Sequence, residues 1–103
     1  MNKREKVFEK TQGKCVYCGC DIDFKKFHIE HQKPKKILKR DYDNIDNLFP
    51  ACQDCNLSKG DLSVEEFREK LTNMINDRHI GRLFAKYYNL KPTQIKFYFE
   101  KGE

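Results

Sequence analysis

Cys15-Val16-Tyr17-Cys18 and Cys52-Gln53-Asp54-Cys55-Asn56 decide how this chain folds, and Phe27-His28-Ile29-Glu30-His31 between them decides what it can do. Two C-x-x-C turns offer four sulfur ligands: Cys15, Cys18, Cys52 and Cys55. Four thiolates suit zinc in a closed tetrahedron, with no position left for water, so such an ion holds structure and does no chemistry. A redox dithiol needs only one pair and usually follows a strand of a larger α/β fold. The carboxylate of Glu30, the imidazole of His31 and the amide of Asn56 suit a harder cation such as magnesium. Two chemistries in one small module point to an enzyme.

At 103 residues the chain reads as a single domain, 1–103. Only 38% of its residues are hydrophobic and 36% are charged, so little apolar surface is available for burial. A domain of this size hides about two-thirds of the surface of its unfolded chain. A structural metal is therefore an expected part of its stability. No signal peptide or membrane span is visible, so a reducing cytoplasm is the expected location. There, paired C-x-x-C motifs read as metal ligands and not as disulfides. Cys20 is the fifth cysteine and reads as a bystander thiol.

Lysine and arginine number 21 against 16 acids, a formal charge of +5. The excess is moderate, and its placement says more than its size. Lys33, Lys35, Lys36, Lys39 and Arg40 follow the Glu-His pair directly, which puts cation density where the expected chemistry sits. Lys3, Arg4, Lys6, Lys10 and Lys14 make the N-terminus basic as well. The alternative for either run is a solvated face without a partner.

Residues 2–11 read as a short helix and 27–31 as a strand entering the site. Pro34 forbids a continuing central strand. Residues 35–46 read as a polar loop, and Asn47-Leu48-Phe49-Pro50 leads to the second cysteine turn. A helix is expected from Cys52 or Gln53 to Lys59, ended by Gly60. Ser63 and Glu66 form a capping box for a helix carrying Phe67, Leu71 and Ile75 on one face. Ile80, Leu83, Phe84 and Tyr87 predict another helix. Alternation of Ile95, Phe97 and Phe99 with polar neighbours predicts a half-buried strand. The aromatic residues of this third read as core.

Phosphodiester hydrolysis needs an activated water, charge neutralisation at the phosphate and a stabilised leaving oxygen. His31 can accept the proton of water near neutral pH. Glu30 and Asn56 can hold a divalent cation. Neighbours in a strand face opposite ways, so both serve one site only around the strand end or at a bend.

The ordered run Cys15-x-x-Cys18-Gly19, Ile29-Glu30-His31-x-x-Pro34, Asp43-x-x-x-Asn47-Leu48 and Cys52-x-x-Cys55-Asn56-x-x-Lys59 resembles the HNH endonucleases, and more narrowly their small, zinc-stapled phage and bacterial type. The resemblance covers residues 13–60 and leaves 61–103 as an extension of helices and a strand. It implies an α+β fold with a ββα-metal (His-Me finger) core. By the same resemblance His31 is the general base, Asn47 orients loop and base, and Glu30 and Asn56 bind magnesium or manganese. DNA is the implied substrate, contacted by Lys33, Lys35, Lys36, Lys39, Arg40 and Lys59, and cut to 5′-phosphate and 3′-hydroxyl ends. Glu30 departs from the Asp usual in the family. His28, two residues earlier, could be a further ligand or a phosphate contact, though a structural or solvent-facing role fits better. The competing reading is a zinc-ribbon nucleic-acid-binding module without hydrolytic activity. So small a nuclease would cut with loose specificity, dimerise or work beside a partner protein.

Overall fold

The computed structural model describes residues 1–76 and 95–101. Its first helix, α1 (Lys3–Glu9), opens on Asn2, whose side chain accepts from Glu5 N–H at 2.8 Å. That bond satisfies an otherwise orphaned donor of the first turn. α1 buries Val7 against Phe27 and Leu48, with Phe8 and Ile29 packed around them.

A two-stranded antiparallel ribbon follows. β1 (His28–His31) pairs with β2 (Leu48–Ala51) in the register His28↔Ala51, Ile29↔Pro50, Glu30↔Phe49 and His31↔Leu48. Pro50 is tolerated because each strand of a two-stranded ribbon has an unpaired edge. Its carbonyl accepts Val16 N–H at 2.9 Å and so ties the first cysteine turn to the ribbon. The interval read as a polar loop is built from short helical turns: α2 (Lys35–Leu38) after Pro34, then 3-10 turns at Lys39–Asp41 and Ile45–Asn47. Pro34 sits at the N-cap of α2, three residues beyond the end of β1, and starts the turn.

α3 (Gln53–Lys59) begins at the second cysteine pair and stops at Gly60, whose φ of +51° favours glycine. α4 (Val64–Asn76) carries the expected capping box. Ser63 Oγ accepts from Glu66 N–H, and Ser63 N–H donates to the Glu66 carboxylate. Phe67 and Leu71 of α4 enter the main core with Cys15, Val16, Tyr17, Ala51, Cys55, Ile95 and Phe97. Tyr17 meets Phe67 and Phe97 edge-on at centroid distances of 5.3 and 5.1 Å.

The strand expected over 95–99 is corrected. Residues 95–97 carry no regular structure, and a 3-10 turn spans Tyr98–Glu100. Its backbone donors go to the first cysteine turn: Tyr98 N–H to Tyr17 O at 2.7 Å, and Phe99 N–H to Val16 O at 3.0 Å. Alternating burial therefore arose from docking on a loop and not from a ladder. The helix expected over Ile80–Tyr87 lies outside the described residues.

Candidate metal centre and active site

The four sulfurs converge. The Sγ atoms of Cys15, Cys18, Cys52 and Cys55 lie within 4.8 Å of one another. Cys18 and Cys52 sulfurs are 3.8 Å apart, which matches the edge of about 3.8 Å expected of a tetrahedron with ~2.3 Å metal–sulfur bonds. The turns are shaped for this. Cys15 N–H donates to Cys20 O, Gly19 N–H donates to Cys15 O, and Cys52 Sγ caps α3 by accepting from Cys55 N–H at 3.5 Å. Hydrogen bonding from the neighbouring sulfurs, Cys18 first, pushes the Cys15 thiol up, and contact with Cys15 does the same to Cys55; Cys18 is pulled down by its bond to Cys15. Four contacting thiols cannot all ionise unaided, and a bound dication removes that conflict by taking thiolates directly. The donor set fits a structural metal.

On the ribbon, β1 sends its residues two ways. Glu30 and His28 face α3. Glu30 is 2% exposed, accepts a short hydrogen bond from Tyr17 Oη, and lies 2.9 Å from Lys59 Nζ. Lys59 also donates to the His31 carbonyl at 3.0 Å. Burial pushes the Glu30 carboxyl up, while the Tyr17 hydrogen bond and the Lys59 charge pull it back. Two donors aimed at one carboxylate are the partners of an ionised acid. One turn earlier on α3, Asn56 Nδ2 lies 3.3 Å from His28 Nδ1. Glu30, Asn56 and His28 thus share a face, as a cation site requires, but the charge of Glu30 is already balanced by Lys59.

The position of Lys59 corrects one expectation. Its ammonium is sealed inside the domain and cannot meet a polyanion at the surface. The five cations of residues 33–40 are exposed along the turns after β1, with Lys36 only 3.8 Å from Glu66. The N-terminal basic residues are largely engaged within the fold. Arg4 donates to Phe24 O and Phe27 O and covers the Phe27 ring, Lys10 donates to Leu48 O, and Lys14 pairs with Asp21.

His31 faces the opposite way. Its Nε2 lies 2.8 Å from Asp43 Oδ1, and its ring stacks on Tyr42 at 3.9 Å and 7°. The buried side chain of Asn47 holds that loop closed: Oδ1 accepts Lys33 N–H, and Nδ2 donates to Lys33 O and Tyr42 O. Tyr17, Tyr42 and Asp43 were not among the residues singled out for a role from sequence. Asp43 had a signal in the Asp43-x-x-x-Asn47 spacing; the two tyrosines had none beyond position.

A two-stranded ribbon backed by a helix, stapled by four cysteines and presenting a histidine at the strand end, defines a ββα-metal module of the nuclease kind. A model of the HNH endonuclease family matches residues 15–62, and this stretch of the chain belongs to that family. The chain is also 32% identical over 92 residues, 87% of its length, to the Septu protein PtuB of Bacillus thuringiensis. It is 31% identical over 77 residues, 61% of its length, to YoqL, a prophage-derived protein of Bacillus subtilis (strain 168) named as an HNH endonuclease. The chain spans 35% and 30% of these two curated relatives. Among the described residues no helix is long and apolar enough to cross a membrane.

Proposed function

We propose that this chain is a metal-dependent endonuclease that hydrolyses DNA phosphodiester bonds. The observation that carries the reading is His31, held at the open end of the ribbon beside an exposed run of cations, with Asn56 and Glu30 on the other face of β1. Zinc fills the four-cysteine centre and fixes the ribbon. Glu30 and Asn56 would hold magnesium or manganese, which would supply charge neutralisation at the phosphate and at the leaving oxygen.

The chain's own residues do the remainder. His31 takes a proton from the attacking water, whose oxygen bonds to phosphorus. The bond to the 3′ oxygen breaks, that oxygen gains a proton from solvent, and the products are a 5′-phosphate and a 3′-hydroxyl. Lys33, Lys35, Lys36, Lys39 and Arg40 hold the backbone of the nucleic acid without reading bases. Unaided, the chain cuts with loose specificity or acts beside a second copy or a partner protein.

One observation favours a second reading. Lys59 already neutralises Glu30, which weakens the cation site and suits a binding module without hydrolysis. Incubation of supercoiled plasmid with the purified chain and magnesium or manganese separates the two, with His31→Ala and EDTA as controls. Nicking or linearisation lost in both controls is the expected result. A plasmid that is retarded on the gel but never cut would establish the binding module instead.

A further inference from the structure

A histidine used as a base must present a chosen nitrogen, and here the choice is made from outside the strand. Resting on the nuclease reading of His31, we propose that Asp43 and Tyr42 are positioning residues that fix the His31 imidazole with its proton on Nε2, leaving Nδ1 as the base. Three observations converge on it. An ionised carboxylate only accepts hydrogen bonds, so contact with Asp43 Oδ1 at 2.8 Å requires the proton on Nε2. A neutral imidazole has one donor and one acceptor, so the free lone pair is then on Nδ1. The Tyr42 ring lies flat against the imidazole, 3.9 Å away and 7° from parallel, and opposes rotation about the ring's own bond.

These two restraints come from adjacent residues, and the backbone that carries them is anchored. Asn47 Nδ2 grips the Tyr42 carbonyl at 2.9 Å, while its amide also takes both backbone groups of Lys33. From the other side of β1, Lys59 Nζ holds the His31 carbonyl at 3.0 Å. The histidine backbone is thus clamped from one face and its ring from the other. Stability does not explain the Asp43 contact. The Asp43 side chain is 78% exposed, and exposed ion pairs contribute little to folding. A partner that adds little to the fold yet sits on the nitrogen opposite the base acts on the chemistry.

The test reads the tautomer directly. Nitrogen-15 spectra of His31, taken on the zinc-loaded full chain without added magnesium or manganese at a pH where the ring is neutral, distinguish Nε2–H from Nδ1–H. Wild type is expected as Nε2–H. Asp43→Ala and Tyr42→Leu should give a mixture of tautomers, whereas Asp43→Asn, which keeps an acceptor, and Tyr42→Phe, which keeps the ring, should resemble wild type. In plasmid cleavage, Asp43→Ala should lower kcat by about 10- to 100-fold with KM little changed, the size typical of a partner that orients a working side chain. An Nδ1–H wild type, or an Asp43→Ala variant with the wild-type spectrum, overturns the proposal. The spectrum needs no cleavage, so a chain that binds DNA without cutting it would sink the nuclease reading while the tautomer still decides this one.

Discussion

Along β1, neighbouring residues have opposite surroundings. Glu30 keeps 3% of its side chain exposed and is bonded to Tyr17 and Lys59, whereas His31 keeps 27% and leans on a loop that faces solvent. Two-residue periodicity alone makes this division, because successive side chains leave a strand on opposite faces. The buried face trades charge for rigidity: an acid, an ammonium and a phenol are locked between the cysteine turn, β1 and α3. The open face keeps a titratable ring near water. A polar residue in this ribbon therefore does one of two jobs, and its face decides which.

The sharpest way to break the comparison is to remove the metal. Tyr17 lies inside the first cysteine turn, so losing the staple should loosen the buried face along with the rest of the core. Chelation, or Cys55→Ser, is expected to unfold the domain at 25 °C, since structural zinc contributes on the order of 10 kcal/mol to small modules. Circular dichroism against added chelator reads it directly. A retained cooperative transition would show that the two faces stand without the staple.

The two faces should then separate by readout. His31→Ala is expected to lower cleavage by about 10²- to 10⁴-fold, as loss of a general base does, with the melting temperature nearly unchanged. Lys59→Met should do the reverse in the first instance and lower stability by about 3–5 kcal/mol, because it leaves a buried carboxylate unpaired. Urea unfolding measures it, and adding Glu30→Gln to Lys59→Met should recover much of the loss. A Lys59→Met protein as stable as wild type would mean that Glu30 is not sealed as described.

The smallest effect lies outside the ribbon, at the Arg68–Glu100 pair, 2.6 Å apart, which ties the C-terminal turn to α4. Hydrogen bonds from Arg68 hold the Glu100 carboxyl below its usual range. The unfolded carboxyl then takes up protons first, so this contribution is present at neutral pH and is lost as pH falls through the ordinary carboxylate range toward the depressed folded value. Glu100→Gln should flatten the acid limb of the stability curve by up to about 1 kcal/mol, the scale of a partly exposed pair. An unchanged acid limb would show that the pair does not hold the C-terminal turn.

Local signals served well where the cause is local. The C-x-x-C turns, the Gly60 stop and the Ser63 capping box each specify structure within a few residues, and each forms as expected. Those that failed depend on distant partners. Residues 35–46 read as loop because they are rich in Lys, Asp and Asn, yet Pro34 and the Asn47 clasp fold them into turns. Ile95, Phe97 and Phe99 alternate like a strand, but their partner is the cysteine turn. In the candidate site, residue types were legible and pairings were not. Glu30 and Asn56 stand out by residue type and position and Lys59 by the family resemblance, whereas nothing in spacing tells that Lys59 would turn inward to Glu30.

The clasp at Asn47 has a consequence for how such a chain can diversify. One amide grips residue 33 and residue 42 together, so the interval 34–41 is a hoop whose two ends are fastened at a single point. Closing a longer hoop costs little more, since loop entropy grows only with the logarithm of length. The hoop carries Lys35, Lys36, Lys39 and Arg40, four of the exposed cations that follow the histidine in sequence, while His31 and its supports lie outside it or at its rim. Length and charge there can drift, or be exchanged as a cassette, and the proposed grip on nucleic acid would change while the surroundings of His31 stay fixed.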